Sequence, residues 1–370
     1  MSDFLVIGGG VLGLLTAREL AAEGATVTLL EKGECGREAS WAGGGIVSPL
    51  YPWRYSEPVT ALAQEAQRAY PALAESLLNE TGIDPEWEQS GLLMLDADDA
   101  AEALVWAQRV GGRMEALQEE QIYAREPALA QGFEQGLWMP AIANIRNPRL
   151  LKSLLASLRA NPRVRLVERA SVTDFILSPG GDTVSGLVVD QQGQSLQFSA
   201  QRIIVTAGAW SAGLLRALSV ELPVEPVKGQ MLLYRPEKPL LTSIVLTEGR
   251  YLIPRRDGHL LAGSTLEHSG FDKSTSDEAL RSLQASAQAL LPALASTPVL
   301  RQWAGLRPGA PQGVPFIGAV PGLRNLYINA GQYRNGLVLA PASVGLMLDI
   351  LLARSPRVDP RPYDPALRQR

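Results

Sequence analysis

The segment DFLVIGGGVLGLLTARELA, residues 3–21, is the strongest indication of fold in this 370-residue chain. An apolar run ends in three consecutive glycines, and apolar residues at helical spacing follow them. A second apolar run, TVTLL at 26–30, comes next and ends at Glu31. The order strand, glycine turn, helix, strand predicts a βαβ unit, whose parallel strands are buried on both faces and are therefore continuously apolar.

The glycines of this unit form the pattern Gly8-x-Gly10-x-x-Gly13, which is typical of dinucleotide binding. Gly8 permits the tight turn, Gly10 lets the backbone approach a pyrophosphate, and Gly13 allows close packing of helix on strand. The helix N-terminus, at Val11 and Leu12, attracts the phosphate charge. The alternative is a purely structural glycine turn, and the fingerprint alone leaves NAD and FAD both open.

An acidic residue follows the second strand, as the fingerprint requires. Glu31 lies 18 residues after Gly13, where its carboxylate can accept a hydrogen bond from a ribose 2′-hydroxyl. A carboxylate here argues against NADP, because it would repel the 2′-phosphate.

Two further glycine-bearing segments favour a flavin. The segment REASWAGGG at 37–45 follows the second strand, and its small residues would let a planar ring and a ribityl chain lie against backbone. The segment AGQYRNGL at 330–337 opens the last helix, where backbone N–H groups can stabilise negative charge on a reduced flavin. The alternatives are a flexible surface loop for the first and an ordinary βα turn for the second.

Two arginines and one tyrosine are candidates for binding a carboxylate. Arg307 lies in WAGLRP and Arg334 lies in the last glycine-bearing turn, and an arginine fork can bind a carboxylate through both oxygens. Tyr251, in GRYLIP, can donate its hydroxyl to the same group. For each of them the alternative is an ordinary structural or surface residue.

Composition excludes several other classes of protein. Net charge is −4, with 34 basic and 38 acidic residues, so a nucleic-acid partner is not expected. A content of 46% hydrophobic residues argues against disorder, and no 18-residue apolar stretch predicts a membrane span, so we expect a cytoplasmic protein. The single cysteine, Cys35, excludes an intrachain disulfide. With only His259 and His268 beside it, no metal site is expected, and both histidines are interpreted as structural or surface residues.

The chain alternates between two kinds of strand. Apolar, parallel-type strands lie at the beginning, near 200–210 and near 325–330, and alternating, antiparallel-type strands lie mostly between them. This pattern predicts a fold that is α/β plus α+β: a Rossmann-like FAD-binding domain with an inserted, mainly antiparallel-sheet substrate domain. The predicted division assigns 1–50, 146–220 and 303–354 to the FAD-binding domain and 51–145 and 221–302 to the substrate domain. A proline-rich tail at 355–370 is expected to be extended or loosely ordered.

The motifs together resemble the D-amino-acid-oxidase-like flavoprotein oxidases, and within that group the branch that oxidises glycine for thiamine synthesis. The resemblance covers almost the whole chain, from Phe4 to about Leu352. It is carried, besides the opening stretch, by EKGECGREASWAGGGIVSP, IIVTAGAWS, PVKGQ, WAGLRPGAPQGVPFIG and NLYINAGQYRNGLVLAP.

The resemblance implies a set of site residues. The implied substrate and catalytic residues are Arg307, Tyr251 and Arg334, with Leu266 as an apolar substrate neighbour in place of the family's methionine. The implied FAD contacts are Gly8, Gly10, Val11, Leu12, Gly13, Glu31, Lys32, Ala39, Ser40, Trp41, Ala42, Gly43, Gly44, Gly45, Ile46, Val172, Ala207, Gly208, Trp210, Gly305, Arg307, Gly331, Arg334, Asn335, Gly336 and Leu337. Related sarcosine oxidases tether their flavin to a cysteine late in the chain, and Cys35 lies elsewhere, so non-covalent FAD is expected.

The implied activity is oxidative deamination of glycine and of other small amines such as sarcosine and D-alanine. The products would be an imine or glyoxylate, ammonia and, from oxygen, hydrogen peroxide, and the reaction would feed thiazole synthesis for thiamine. Family members also form homo-oligomers. The alternatives are a D-amino-acid or sarcosine oxidase, a quinone-linked dehydrogenase, and a non-catalytic flavin-binding protein.

Overall fold

The structure is a computed structural model that describes residues 2–368. Residue 1, at the start of the predicted FAD-binding domain, and residues 369–370, at the end of the tail, lie outside the described residues.

The strands are β1 (Ser2–Ile7), β2 (Val27–Leu30), β3 (Leu92–Leu95), β4 (Glu115–Gln118), β5 (Gln135–Met139), β6 (Val164–Val167), β7 (Ala170–Leu177), β8 (Val184–Gln191), β9 (Gln194–Phe198), β10 (Ala200–Val205), β11 (Glu225–Tyr234), β12 (Ile244–Thr247), β13 (Arg250–Pro254), β14 (Leu260–Gly263), β15 (Val299–Gly309), β16 (Phe316–Ala319) and β17 (Leu326–Ala330). The helices are α1 (Val11–Ala22), α2 (Ala39–Ala42), α3 (Glu57–Thr81), α4 (Ala100–Arg109), α5 (Glu119–Arg125), α6 (Asn147–Ala160), α7 (Ser211–Arg216), α8 (Asp277–Leu290) and α9 (Gly336–Leu351).

The first sheet has the strand order β16-β17-β10-β1-β2-β6, and its strands are parallel except for β16. Side chains of β1 alternate between two cores: Phe4 and Val6 pack among the helices, whereas Leu5 and Ile7 pack against the layer formed by β7, β8 and β9. Burial of both faces explains why these strands are continuously apolar. The predicted βαβ unit is therefore confirmed.

The second sheet has the order β15-β11-β14-β13-β12-β3-β5-β4 and is antiparallel except where β12 runs parallel to β3. The predicted fold class, a parallel α/β unit combined with a mainly antiparallel sheet, is thus confirmed. The long strands β11 and β15 pair along their whole length and carry the edge of this sheet toward the first one.

Helix α3 belongs to the core of the first sheet, although its sequence lies in the segment 51–145. Its buried face packs against α6 and α9, and the hydroxyl of Tyr70 donates a hydrogen bond to the carbonyl of Leu337. The domain boundaries stay a prediction, and α3 is the element on which the assignment of 51–145 depends.

The C-terminal tail is ordered through Arg368, so the expectation of loose order was wrong there. Each of the two short 3₁₀ turns, Arg361–Tyr363 and Pro365–Leu367, has a proline within its first two positions. The ring of Tyr363 is fully buried, and its hydroxyl donates to the carbonyl of Pro58 at 2.7 Å. Prolines prevent a regular helix, but they do not prevent a buried aromatic ring from anchoring the segment.

One helical segment, Tyr333–Leu351, is long and apolar enough to cross a membrane by length and composition alone. The segment does not stand out as a continuous apolar run in the sequence, because Arg334, Asn335 and Asp349 interrupt it. Its helix α9 packs against α1 and α3 in the interior, and 61% of the apolar window is buried. This is the environment of a core helix in a folded domain.

Candidate active site

A cavity of ≈ 440 Å³ lies where the carboxyl ends of β1, β2, β10 and β17 meet the β11–β15 edge of the second sheet. In parallel α/β sheets this is where ligands bind, and the volume is typical of a small-molecule site. Most of the predicted residues line it, namely Gly8, Gly10, Val11, Leu12, Glu31, Lys32, Ala39, Ser40, Ala42, Gly43, Gly44, Gly45, Ile46, Val172, Ala207, Gly208, Trp210, Tyr251, Gly305, Arg307, Arg334, Gly336 and Leu337.

Five predicted residues do not line the cavity. Gly13 and Gly331 act through close packing: a Cβ on Gly13 would stand 1.8 Å from the Gly8 carbonyl oxygen, and one on Gly331 would stand 2.9 Å from Ala310. Trp41 packs edge-on against Trp303, with ring centroids 5.7 Å apart. Asn335 is buried beneath the last turn.

Leu266 is the clearest departure from prediction. It is 47% exposed and lies outside the cavity. After β14 ends at Gly263, Ser264 turns toward the cavity and Leu266 turns to solvent. The segment after β14 therefore reaches the cavity through Ser264, and the role implied for Leu266 stays a prediction that this placement does not support.

The first glycine turn is shaped by its own acidic residue. Gly8 has φ +112°, which favours glycine. The two carboxylate oxygens of Glu31 accept N–H groups of Gly9 and Gly33 at 2.7 and 2.9 Å. Glu31 thus holds the turn in place, and lone pairs remain on both oxygens for a ribose hydroxyl.

The second glycine segment joins the glycine turn to the substrate side of the cavity. The hydroxyl of Ser40 accepts the N–H of Val11 at 2.9 Å, which ties α2 to the start of α1. At the other end, a Cβ on Gly44 would stand 3.1 Å from the Tyr251 ring. Gly305 lies so close to Ala42 that a Cβ would stand 2.4 Å from the alanine methyl. The approach at Gly305 excludes a Cβ, and the one at Gly44 leaves little room for it.

Arg307 is half-buried and has only neutral partners. It donates to the carbonyls of Lys228 and Thr265, each at 3.2 Å, and to the hydroxyl of Ser264 at 2.8 Å. Burial lowers the pKa of Arg307, with Tyr251 opposing and Arg334 adding to that shift. Within residues 2–368 no carboxylate lies within 4 Å of this guanidinium. The site presents a positive charge that the carboxylate of a ligand can pair with.

Tyr251 stands beside Arg307 at the same end of the cavity. It is 8% exposed, and its hydroxyl donates to the sulfur of Met231 at 3.3 Å. A thioether is a weak acceptor, so a carboxylate can replace it as the partner of this hydroxyl.

The other end of the cavity carries an aromatic and cationic stack. The ammonium group of Lys32 lies 3.2 Å from the ring centroid of Trp210, and Phe271 stacks on Trp210 at 5.5 Å. Burial lowers the pKa of Lys32, although Glu38 and Glu31 oppose the shift.

Sequence reasoning missed further cavity residues, among them Met231, Ser264, Gln332 and Tyr333. Met231 follows the PVKGQ motif directly, Gln332 and Tyr333 lie within AGQYRNGL, and Ser264 lies two residues before Leu266, so their neighbourhood was the available signal. Tyr333 has φ +49°, a strained value for a residue other than glycine.

The remaining singled-out residues lie away from the cavity. Cys35 is buried, and burial raises the pKa of its thiol, so its reactive thiolate is disfavoured. His259 lies 2.9 Å from the carboxylate of Asp257, and His268 is largely exposed near Glu225.

The lining fits FAD. A Cβ on Gly208 would point into open space, so this glycine leaves room for a ligand. The amide oxygen of Gln332 is buried without a hydrogen-bond partner, and ligand N–H groups would satisfy it. The N-terminus of α1, which follows the glycine turn and is the positive end of the helix dipole, is suited to bind a pyrophosphate.

Comparison with known proteins agrees with this geometry. The profile of the family "FAD dependent oxidoreductase" matches residues 3–349. The chain is 54% identical to the glycine oxidase of Pseudomonas aeruginosa, over 98% of both chains. It is also 30% identical to the bifunctional protein ThiO/ThiG of Trichormus variabilis, covering 95% of this chain and 52% of that protein.

Among solved structures, the glycine oxidase of Geobacillus kaustophilus superimposes with a TM-score of 0.90 at 30% identity, over 98% of both chains. The resemblance stated from the motifs is confirmed, and with it the expectation of FAD. The chain therefore belongs to the family of FAD-dependent oxidoreductases, and FAD is its cofactor.

Proposed function

We propose that this enzyme oxidises glycine to its imine, which hydrolyses to glyoxylate and ammonia, and that oxygen is reduced to hydrogen peroxide. The observation that carries the proposal is the half-buried guanidinium of Arg307, which has no carboxylate beside it among the described residues. Support also comes from the similarity to the glycine oxidases of Pseudomonas aeruginosa and Geobacillus kaustophilus.

Arg307 has the donors needed for a carboxylate. A guanidinium carries five N–H groups, and three hydrogen bonds to Lys228, Thr265 and Ser264 leave two without an acceptor among the described residues. These donors and the hydroxyl of Tyr251 would hold the two carboxylate oxygens of the substrate. A cation that is already partly desolvated and is fixed by three hydrogen bonds needs little further reorganisation when the anion binds.

Orientation is the main catalytic contribution of the chain in this proposal. Holding the carboxylate fixes the direction of the Cα–H bond, and such positioning supplies a large part of a rate enhancement. FAD, when bound, accepts the hydride and passes the electrons to oxygen. The substrate amine must be neutral, so that its lone pair assists loss of the hydride. Arg334, at the same end of the cavity, adds positive charge near the reacting centre.

A small substrate is favoured by the side chains around Arg307. Met231 and Tyr251 fill one wall, and Tyr333 and Leu50 also line the cavity. Glycine, sarcosine and D-alanine are small enough to be compared directly. The product would feed thiazole synthesis for thiamine, which is supported by the similarity to ThiO/ThiG.

We further infer that FAD is held without a covalent bond, because Cys35 is buried outside the cavity. A cytoplasmic location and a homo-oligomer are also inferred, with a small amino acid and oxygen as the partners. The net charge of −4 supports the absence of a nucleic-acid partner, and the buried packing of α9 supports the absence of a membrane anchor.

The experiment is a comparison of turnover on one preparation of holoenzyme with glycine, sarcosine, D-alanine and D-proline, with peroxide as the readout. The proposal expects the highest kcat/KM for glycine and equal amounts of peroxide and glyoxylate. A higher value for a D-amino acid or for sarcosine would reassign the substrate. Turnover with a quinone or dye but little peroxide would indicate a dehydrogenase.

A further inference from the structure

A second arginine is buried beside the cavity, and neither the fingerprint nor the proposed reaction uses it. Arg255, directly after β13, is 9% exposed. Its guanidinium donates to the side-chain oxygen of Asn144 at 2.7 Å and to the carbonyls of Ile145 and Gly44 at 3.1 and 2.5 Å. Within residues 2–368 it has no carboxylate partner within 4 Å.

Such an arrangement is unfavourable unless the charge has a role. Burial lowers the pKa of Arg255 to about 10, and the nearby Arg146 adds to the shift, while Glu86, Asp257 and Glu88 oppose it. A buried cation with neutral partners costs free energy that an apolar residue would not cost. Arginine differs from other residues in that its rigid, planar guanidinium can donate hydrogen bonds to two chain segments at once.

The segment that Arg255 holds is the second glycine segment. The Gly44 carbonyl accepts from Arg255, and the Gly45 carbonyl accepts the N–H of Ile145 at 2.8 Å. Gly45 has φ +83°, and a Cβ there would stand 2.0 Å from the Ile145 carbonyl oxygen. Two successive carbonyls are therefore fixed on the side away from the cavity.

This fixes the direction of one N–H group. In a trans peptide the carbonyl and the N–H point in opposite directions, so the N–H of Gly45 points away from Arg255. Gly45 lines the cavity, and its N–H has no acceptor among the described residues. A backbone donor at the cavity wall without an acceptor is suited to an acceptor atom of the ligand.

We propose that Arg255 is a positioning residue for the cofactor: it orients the Gly44–Gly45 peptide so that the Gly45 N–H is presented to bound FAD. Arg255 itself lies behind the cavity wall and is not one of its lining residues. The proposal depends on the FAD site and not on glycine as substrate, so its failure and that of the proposed function are distinguishable.

The chain supplies a matched control in the next residue. Arg256 is 43% exposed and donates to the carboxylate of Asp84 and to the carbonyl of Trp87, both at 2.8 Å. Its substitution removes the same charge one position away without touching the glycine segment.

The test compares Arg255→Lys, Arg255→Gln and Arg256→Gln with the natural protein. Three quantities are measured: the dissociation constant for FAD titrated into apoprotein, the visible spectrum of the bound flavin, and the thermal midpoint of the apoprotein. Arg255→Lys keeps the charge but loses the fork, and we expect it to weaken FAD binding about tenfold, as for loss of a charge-assisted hydrogen bond, with an altered spectrum. Arg255→Gln weakens binding at least as much, and Arg256→Gln leaves both properties unchanged.

Two results would overturn the proposal. One is an FAD affinity of both Arg255 variants within twofold of the natural value with an unchanged spectrum. The other is an equal loss of affinity in Arg256→Gln. If neither Arg255 variant gives folded apoprotein, the same titration is done with Asn144→Ala, which removes one acceptor of the Arg255 guanidinium. Weaker FAD binding in Asn144→Ala supports the proposal. An FAD affinity within twofold of the natural value overturns it.

Discussion

Gly229 leaves open the space that the guanidinium of Arg307 fills. A Cβ on Gly229 would stand 2.2 Å from Nη2 and 2.3 Å from Nη1 of Arg307. The two residues lie on the paired strands β11 and β15, where Arg307 is opposite Val227 and Gly229 is opposite Gly305. The register of β11 and β15 therefore forms the anion site, because it places Gly229, which has no side chain, next to the long cationic side chain of Arg307.

The first prediction concerns Gly229→Ala. The added methyl group displaces the guanidinium, so we expect the KM for glycine to rise at least about tenfold, since a misplaced charged hydrogen bond loses about 1.5–3 kcal/mol. FAD affinity stays near the natural value. Steady-state kinetics and an FAD titration measure the two effects. Gly345→Ala is the control, because a Cβ there meets nothing within 4 Å, and an equal change in both variants would contradict the assignment.

The second prediction concerns the fork of Arg307. Arg307→Lys keeps the charge but cannot hold both carboxylate oxygens in one plane. We expect kcat/KM for glycine to fall about 10²-fold or more, as when a buried charge pair loses its partner at about 2–5 kcal/mol. Stopped-flow or initial-rate measurements test this, and kinetics close to those of the natural enzyme would remove Arg307 from the carboxylate site.

The third prediction concerns the linkage of the flavin. Cys35→Ala is expected to keep bound FAD, and denaturation is expected to release all of the flavin from both the variant and the natural protein. Precipitation with acid followed by absorbance of the supernatant measures the released fraction. Flavin that stays with the precipitated natural protein but not with Cys35→Ala would contradict the non-covalent assignment.

The fourth prediction concerns the tail. Tyr363→Ala empties a fully buried site and is expected to lower the free energy of unfolding by about 3–5 kcal/mol. Tyr363→Phe loses only the hydrogen bond to Pro58 and is expected to cost about 1 kcal/mol. Urea unfolding measures both changes. If Tyr363→Ala lowered the free energy of unfolding by less than Tyr363→Phe does, the tail would not stabilise the core.

The fifth prediction concerns acid stability. Burial raises the pKa of Asp257, but hydrogen bonds from His259 and Arg146 outweigh it and lower the pKa from 3.8 to about 2. A depressed pKa stabilises the folded state above about pH 4, and that stabilisation is lost as the pH falls toward 2. The stability difference between the natural protein and Asp257→Asn should therefore shrink over that interval. A difference that is constant between pH 7 and pH 2 in urea unfolding would contradict this origin.

Local patterns made part of the molecule predictable. The glycine fingerprint and the apolar strands predicted β1, α1 and β2, because their spacing reports directly on a turn and on burial of both faces. The fingerprint and the glycine segment at 37–45 predicted the cavity lining near Gly8 and Gly44, where neighbouring atoms lie close to the backbone.

Long-range pairing made the rest unpredictable. Strand β15 contains Gly305 and Pro308, which argue locally against a strand, and only its partner β11 makes it one. The place of Leu266 was not predictable, since the path of the chain after β14 turns Ser264 rather than Leu266 toward the cavity. The order of the tail depends on a pocket for Tyr363 formed by distant segments.

The most direct test is anaerobic mixing of the FAD-loaded enzyme with glycine while the absorbance of the oxidised flavin is followed. We expect full bleaching by glycine, at a rate that saturates with glycine concentration and falls about 10²-fold or more in Arg307→Lys. A flavin that stays oxidised under saturating glycine but is reduced by dithionite would contradict it.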